Sequence, residues 1–197
     1  MRTSTSFALV VVGVSVLVSA PASALPGMDV SAGLLVGGGK KPSDYGDASP
    51  NPYGLGFGLR AGATILSLYA GATFLYHLGD SIEVAGLKTK LNALYYGVEG
   101  GYDIGLGPFH LRPYLGLGQA SFKGTVTGSL LGKPVESSSS ESSLYVAPGA
   151  AAIVSVAGFF VGADVRYLYP FKKGSDGKGG EVSNASLGFF GSAGVSF

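Results

Sequence analysis

The chain has 197 residues, of which 13% are charged and 46% are hydrophobic, and its formal net charge is +1. Soluble domains carry about 25% charged residues, so this composition does not suit an ordinary soluble domain, and the small net charge does not indicate nucleic-acid binding. The chain contains 34 glycines and no cysteine, so it can form neither a disulfide nor a cysteine-linked lipid anchor.

The first 24 residues have the pattern of a secretory signal peptide. Arg2 supplies a positive charge, residues 7–18 are apolar, and Ala22-Ser23-Ala24 matches a small-residue cleavage site. The alternative is a retained membrane anchor, but the apolar run is shorter than the roughly 20 residues that a spanning helix needs. We therefore predict a signal peptide at 1–24 and a mature domain at 25–197.

Large apolar residues then alternate with glycine, polar or charged residues. In 53–62 and 109–118 this alternation runs position by position. Side chains of a strand point to opposite faces with period two, so one face of each segment is continuously apolar. No later apolar stretch has the length of a transmembrane helix, and a closed barrel is the other structure that crosses membranes. The predicted strands, each near the roughly 9–11 residues that cross a bilayer, are 28–38, 53–63, 68–79, 92–104, 109–120, 143–154, 159–169 and 185–197.

Short connections alternate with long ones that are rich in Lys, Asp, Glu, Ser and Gly. The short connections lie near 64–67, 105–108 and 155–158, and the long ones are 39–52, 80–91, 121–142 and 170–184. Outer-membrane barrels have short periplasmic turns and longer external loops. The sequence therefore predicts an all-β fold, an eight-stranded antiparallel up-and-down transmembrane β-barrel.

The charged residues within the predicted strands share the face opposite the large apolar side chains. An outward Lys or Arg costs roughly 2–4 kcal/mol at the bilayer midplane, so the pattern indicates that these residues face the lumen. They are Asp29, Arg60, Glu99, Asp103, Arg112, Asp164 and Arg166. We expect Arg112 to lie near both Glu99 and Asp103 across the 105–108 turn. The predicted lumen charge network comprises Arg60, Glu99, Asp103, Arg112, Asp164 and Arg166.

This network has two possible roles. Side chains just fill the interior of an eight-stranded barrel, and buried charges persist when they are paired. A salt-bridged plug is therefore favoured over a gate that opens to water or ions. The inward glycines leave a slender cavity or, more simply, make room for Tyr69, Tyr95, Tyr114 and Tyr145.

Outward aromatic residues are expected near both membrane borders. They are Tyr102, Phe109, Phe159 and Phe197 at the periplasmic end, and Tyr53, Tyr76 and Tyr169 at the outer end. Pro113 and Pro148 fall within predicted strands, although proline removes a ladder donor. Each proline therefore predicts a bulge or a local break.

The sequence offers little catalytic chemistry. Its histidines, His77 and His110, are predicted to face the lumen at opposite ends of the barrel, without the converging ligands that a metal needs. A nucleophile needs a base within hydrogen-bond reach, and His77 has no adjacent serine. We predict no metal site, no cofactor and no enzymatic activity.

Taken together, the signal-like start, the alternating segments, the four polar loops and the terminal Phe197 resemble the small bacterial outer-membrane barrels of the OmpA/OmpX type. The last segment, 188–197, is similar to the C-terminal signal read by the barrel-assembly machinery, in which the final aromatic residue matters. The resemblance implies a place in the outer membrane of a Gram-negative cell, with outer-membrane lipid, lipopolysaccharide and the assembly machinery as partners. It implies no specific activity, and the sequence has no counterpart of the peptidoglycan-binding domain of full-length OmpA-type proteins.

Three functions are compatible with this fold. The first is a structural or surface-interaction role, with a closed lumen and external contacts through loops 39–52, 80–91, 121–142 and 170–184. The serine-rich loop 121–142 is expected to be solvated and mobile. The second is a narrow channel or carrier for water, ions or a small hydrophobic molecule. The third, a soluble secreted barrel, is disfavoured because the bulky side chains share a face that lacks charges.

Overall fold

Strands account for most of the chain that the computed structural model describes, which is residues 27–40, 51–84, 87–130, 133–172, 174–175, 181–182 and 184–197. The predicted signal peptide and most of the predicted loop 39–52 lie outside these ranges. Among the described residues, no helix is long and apolar enough to cross a membrane. The strands are β1 (Met28–Lys40), β2 (Leu55–Ile65), β3 (Leu68–His77), β4 (Ser81–Val84), β5 (Leu87–Tyr102), β6 (Ile104–Leu106), β7 (Phe109–Leu130), β8 (Lys133–Val156), β9 (Phe159–Pro170), β10 (Gly174–Ser175), β11 (Glu181–Val182) and β12 (Ser186–Ser196).

These strands form a closed antiparallel barrel, and the eight-stranded prediction is confirmed. β3 and β4 together make one barrel strand, and so do β5 and β6, because each pair lies against one continuous neighbour. β5 pairs with β7, and β12 pairs with β1 to close the ring. Leu34 of β1, for example, lies opposite Leu59 of β2 and Ala193 of β12. β10 and β11 form a separate two-stranded sheet.

Two-residue turns join the strands at one end of the barrel. Leu66 and Ser67 have φ values of 50° and 73°, and Ala157 and Gly158 have 51° and 82°, as type I′ hairpins require. Gly107 has a φ of 68° in the third tight turn. We call this end, which also carries Gly27 and Phe197, the proximal end, and the opposite one the distal end.

At the distal end, strands replace two of the predicted long loops among the described residues. β7 and β8 stay paired from Phe109 and Val154 out to Leu130 and Lys133, so the expectation of a mobile loop at 121–142 is wrong for its described residues. The predicted loop 80–91 likewise contains the β4–β5 hairpin. Residues 81–84, 87–92, 121–130 and 133–142 form what we call the distal sheet. The expectation of a mobile loop considered only the low side-chain burial of this segment. Backbone pairing that continues from the barrel strands orders the segment without such burial.

The two faces of the barrel wall follow the predicted alternation. Outward side chains are large, apolar and exposed, as in Leu59, Val98, Leu117, Val161 and Phe189. Inward side chains are buried, including Leu35, Leu75, Leu168 and Phe190. The apolar outer face is therefore the surface that meets lipid.

The two prolines point outward and interrupt one ladder each. The β5–β7 pairing ends at Tyr114 and resumes from β6 at Leu111, on either side of Pro113. The β8–β9 pairing omits residues 147–148, which include Pro148. The register is the same before and after each gap, so both sites are local breaks without an inserted residue.

Candidate functional site: the filled lumen

The inward parity of three strands brings four of the predicted charges together in the lumen. β2 supplies Arg60, β5 supplies Glu99, and β9 supplies Asp164 and Arg166. Because the residues on either side of each one point to lipid, the same strands keep an apolar exterior and a charged interior.

Arg60, Glu99, Asp164 and Arg166 form a closed ring of alternating charge, which we call the central ring. Arg60 Nε lies 2.8 Å from Glu99 Oε2, and Arg60 Nη2 lies 2.8 Å from Asp164 Oδ2. Arg166 Nε lies 2.8 Å from Asp164 Oδ1, and Arg166 Nη1 lies 3.3 Å from Glu99 Oε1. Two guanidinium groups thus face two carboxylates, and the ring is electrically neutral when all four are ionised.

Aromatic side chains complete the surroundings of the central ring. The Tyr114 hydroxyl lies 3.0 and 2.8 Å from the two oxygens of Asp164 and donates to this carboxylate. The Tyr114 ring centroid lies 4.9 Å from the guanidinium carbon of Arg60 and 5.5 Å from that of Arg166. Arg166 also lies 5.3 Å from the ring of Phe190. These contacts add cation–π attraction to the ion pairs in a site that water barely reaches.

A second charged group lies towards the proximal end. Arg112 Nε donates to Asp103 Oδ2 at 2.9 Å, and His110 Nδ1 lies 2.7 Å from Asp103 Oδ1. The guanidinium carbon of Arg112 lies 4.0 Å from the Tyr69 ring centroid. The structure therefore separates the six predicted network residues into two groups. The expected diagonal contact of Arg112 with Glu99 is wrong, because Glu99 lies opposite Gly116, four residues from Arg112, and pairs with the two arginines of the central ring.

A small cavity of about 120 Å³ occupies the proximal half of the lumen. Hydroxyl side chains from β1, β2 and β12 line it, and Arg60 and Arg112 lie at its inner wall. Asp29 also lines this cavity, but it is exposed rather than enclosed among the paired charges. Leu35, which packs in the distal half of the lumen, also lines the cavity.

The distal half of the lumen is filled by an aromatic cluster that the charge pattern did not indicate. The His77 ring lies 6.0 Å from that of Tyr53, 5.8 Å from that of Tyr95 and 5.8 Å from that of Phe190, centroid to centroid. Tyr95 also contacts Tyr145 at 5.3 Å. The inward parity of Tyr95 and Tyr145 was visible in the sequence, but their convergence on His77 depends on how the strands are staggered.

Tyr53 was predicted to face lipid, and this is wrong. The strand begins at Leu55, so Tyr53 lies in a turn rather than in an alternating segment. Its side chain is 0% exposed, and its hydroxyl donates to the backbone carbonyl of Asn184. The turn folds Tyr53 over the mouth of the barrel, where it joins the aromatic cluster.

Inward glycines make this packing possible. A Cβ atom at Gly149 would lie 2.5 Å from the ring of Tyr114, and one at Gly118 would lie 2.9 Å from the ring of Tyr145. Such separations are far below ordinary contact distances, so glycine at these positions leaves room for the opposite tyrosine and, at Gly118, also for the Tyr96 backbone carbonyl of the neighbouring strand.

The predicted assembly residue Phe197 lies at the seam where the barrel closes. Its N–H donates to the Val30 carbonyl at 2.9 Å, and the Val30 N–H donates to the Phe197 carbonyl at 3.0 Å. The aromatic side chain is 41% exposed on the lipid-facing side. Phe197 thus joins the last strand to the first.

The geometry described above is that of a small membrane barrel whose interior is occupied by its own side chains. The chain belongs to the outer membrane protein beta-barrel domain family, whose model matches residues 6–191. Its predicted class and outer-membrane association are therefore supported, and this family is not typically enzymatic. A search of curated protein sequences found no match.

Solved outer-membrane proteins share the fold at low sequence identity. The attachment invasion locus protein Ail of Yersinia pestis is 18% identical with a TM-score of 0.52, and the match covers 86% of this chain and 97% of Ail. Neisserial surface protein A is 18% identical with a TM-score of 0.51, covering 86% of this chain and 96% of that one. A major outer membrane protein of Thermus thermophilus is 14% identical with a TM-score of 0.63, covering 86% of this chain and 99% of that one. At these identities the likeness concerns the fold alone.

Proposed function

We propose that this protein is a non-conducting outer-membrane barrel that presents the distal sheet at the cell surface as its interaction surface. In this proposal, residues 1–24 direct export, residues 25–197 form the barrel, and the assembly machinery recognises the last strand with its terminal Phe197. The distal end faces outwards because the short turns of outer-membrane barrels are periplasmic.

The closed-lumen part of the proposal rests on the burial of the lumen side chains. In the central ring, the side chains of Glu99, Asp164 and Arg166 are at most 1% exposed, and that of Arg60 is 11% exposed. A water-filled pore would expose these groups. Opening it would require breaking the ion pairs and displacing the aromatic cluster, and breaking one buried pair by removing a partner costs about 3–5 kcal/mol.

The shape of the distal sheet supports the surface-interaction part. About ten residue pairs of β7 and β8 extend beyond the barrel, a projection of roughly 25 Å for tilted strands. The β8–β9 ladder begins only at Tyr145, so no described strand pairs with the β9 side of β8 over residues 136–142, all of them exposed. A long free edge can pair with an extended segment of another molecule.

A narrow channel or carrier remains the second candidate, favoured by the cavity of about 120 Å³ at the proximal end. Planar-bilayer recording of the refolded protein distinguishes the two functions. The closed-lumen proposal expects no steady unitary currents. Steady currents that disappear when Arg112 is replaced by Gln would refute it and establish the channel.

Shortening the distal sheet tests the surface role. Replacing residues 124–139 with a two-residue turn removes the projection while leaving the Lys123–Ser140 register to close the hairpin. We expect cells that carry this variant to lose surface adhesion to the level of a deletion strain, with normal envelope permeability and heat-modifiable gel migration. Unchanged adhesion in both the variant and the deletion strain would contradict the role.

A further inference from the structure

The outward-facing charges of the described residues are confined to the distal end. Along the apolar band and at the proximal end, outward positions carry no charge. At the distal end they carry Lys40, Glu83, Lys88, Lys90, Lys123 and Glu136, with lysines in excess. A lipid-facing surface that becomes basic at one border indicates anionic groups at that border.

Lys90 and Lys123 lie just beyond the apolar band on neighbouring strands. Along β5, Leu94 is the last large apolar outward residue, and Lys90 lies four residues further, about 10 Å along the membrane normal. Just inside this limit, one outward position below Leu94, the Tyr96 hydroxyl donates to Gln119 Oε1 at 2.5 Å, an outward polar contact near the distal border of the band. The headgroup region extends roughly 5–8 Å beyond the hydrocarbon core, so both ammonium groups can reach it.

The register places these two lysines side by side. Lys123 lies directly opposite Asn92, which makes Lys90 its diagonal neighbour, about 7 Å away between Cβ atoms. Both side chains are exposed, and no described ion pair includes either lysine. Two close ammonium groups repel each other unless an anion lies between them.

The carboxylate on the same outward face, Glu83, does not neutralise the neighbouring lysines. One extra residue in the 78–80 segment shifts the register from His77 opposite Ala93 to Ser81 opposite Lys90. This shift places Glu83 opposite Lys88 and diagonal to Lys90, so this one carboxylate lies beside two lysines and is one strand further from Lys123. The outward group of Lys88, Lys90, Lys123 and Glu83 therefore keeps a net charge of about +2 at the outer border of the membrane.

We propose that Lys90 and Lys123 form a binding site for a phosphate group of a phosphorylated glycolipid in the outer leaflet. The lipid's acyl chains would lie along the apolar face formed by Leu94, Tyr96 and Leu117, directly below the two lysines. The inference rests on the proposed orientation, with the distal end outside the cell. Two features of the site define the class of ligand. The lysines at headgroup depth suit an anionic group, and the continuous apolar wall beside them suits acyl chains.

Titration of the refolded barrel with bisphosphorylated lipid A and with dephosphorylated lipid A, read by native mass spectrometry, tests the site. We expect phosphate-dependent binding that weakens as salt is raised. Each lysine near an anionic membrane surface contributes about 1 kcal/mol, so the Lys90→Gln/Lys123→Gln variant is expected to bind roughly 30-fold more weakly. Lys90→Arg/Lys123→Arg should bind within about threefold of the unmodified protein, since charge is retained.

A matched control is Lys40→Gln/Lys172→Gln, which makes the same charge change at exposed lysines separated by β12. This control should retain most of the binding. Equal losses of binding in both double variants would show diffuse electrostatic attraction without a specific site. Equal binding of dephosphorylated lipid A would show that binding does not depend on the phosphate group. Either result overturns the inference. A conducting lumen or unchanged adhesion would instead refute the proposed function and leave this binding experiment unaffected.

Discussion

Replacing Arg166 with Met should strongly destabilise the barrel. Arg166 contacts both carboxylates of the central ring, and its side chain is 1% exposed. Its removal leaves Glu99 and Asp164 sharing one cation, Arg60, so the ring changes from neutral to one uncompensated negative charge. Removing one partner of a buried pair costs about 3–5 kcal/mol. Because Arg60 and the Tyr114 hydroxyl still contact Asp164, we expect a loss near the lower limit, about 3 kcal/mol in the free energy of unfolding.

Restoring the charge balance should recover part of this loss. Glu99→Gln removes the surplus carboxylate, so the Arg166→Met/Glu99→Gln double variant should be more stable than the sum of the single changes predicts. The expected coupling is about 1–3 kcal/mol. Urea unfolding in phospholipid vesicles, with the folded fraction read by heat-modifiable gel migration, measures each corner of the cycle.

Lys88→Met provides the control, since Lys88 is exposed in the distal sheet and should change stability by no more than about 0.5 kcal/mol. Two results would refute the reasoning. One is an Arg166→Met variant as stable as the control, and the other is strict additivity in the double variant.

Three further variants test the packing, the seam and a tight turn. Gly149→Ala should lower the free energy of unfolding by about 1–3 kcal/mol, because the added Cβ would overlap the Tyr114 ring. Gly100→Ala, where nothing lies within 4 Å, is its control in the same unfolding assay. Equal effects of the two substitutions would contradict the packing argument. Phe197→Ala should lower the yield of assembled barrel in cells while detergent refolding proceeds normally, whereas Phe189→Ala on the lipid face should assemble well; equal yields would contradict a role in assembly. Ser67→Gly should stabilise the barrel by about 1 kcal/mol, because Ser67 has a φ of 73° that L-residues adopt at a cost; a loss of stability in urea would contradict this.

The barrel wall was predictable because a lipid environment imposes a simple rule on each strand. An outward charge is costly, so alternation alone assigned Arg60, Glu99 and Arg166 to the interior. The partners of each charge were harder to predict, because they depend on the stagger between strands. Arg112 was expected beside Glu99, but the register places Glu99 opposite Gly116, four residues away, and Glu99 contacts Arg60 and Arg166 instead.

The parts that escaped prediction lie where the alternating pattern ends. Tyr53 precedes the first residue of β2, so the alternation along the strand does not predict which way its side chain points. The serine-rich segment 137–143 has the composition of a mobile loop, but its backbone pairs with β7 in a ladder that continues from the barrel. Local composition gives no information about a ladder that starts some 20 residues away.

The most direct test of the account asks which side chains touch acyl chains. The barrel, reconstituted in vesicles, can be exposed to a lipid-soluble photoactivated carbene reagent, and the labelled residues identified by mass spectrometry. We expect labelling of outward residues such as Leu117 and Val161, and none at Arg60, Glu99 or Arg166. Labelling of these three charged residues from the lipid phase would contradict an apolar exterior that encloses a charged interior.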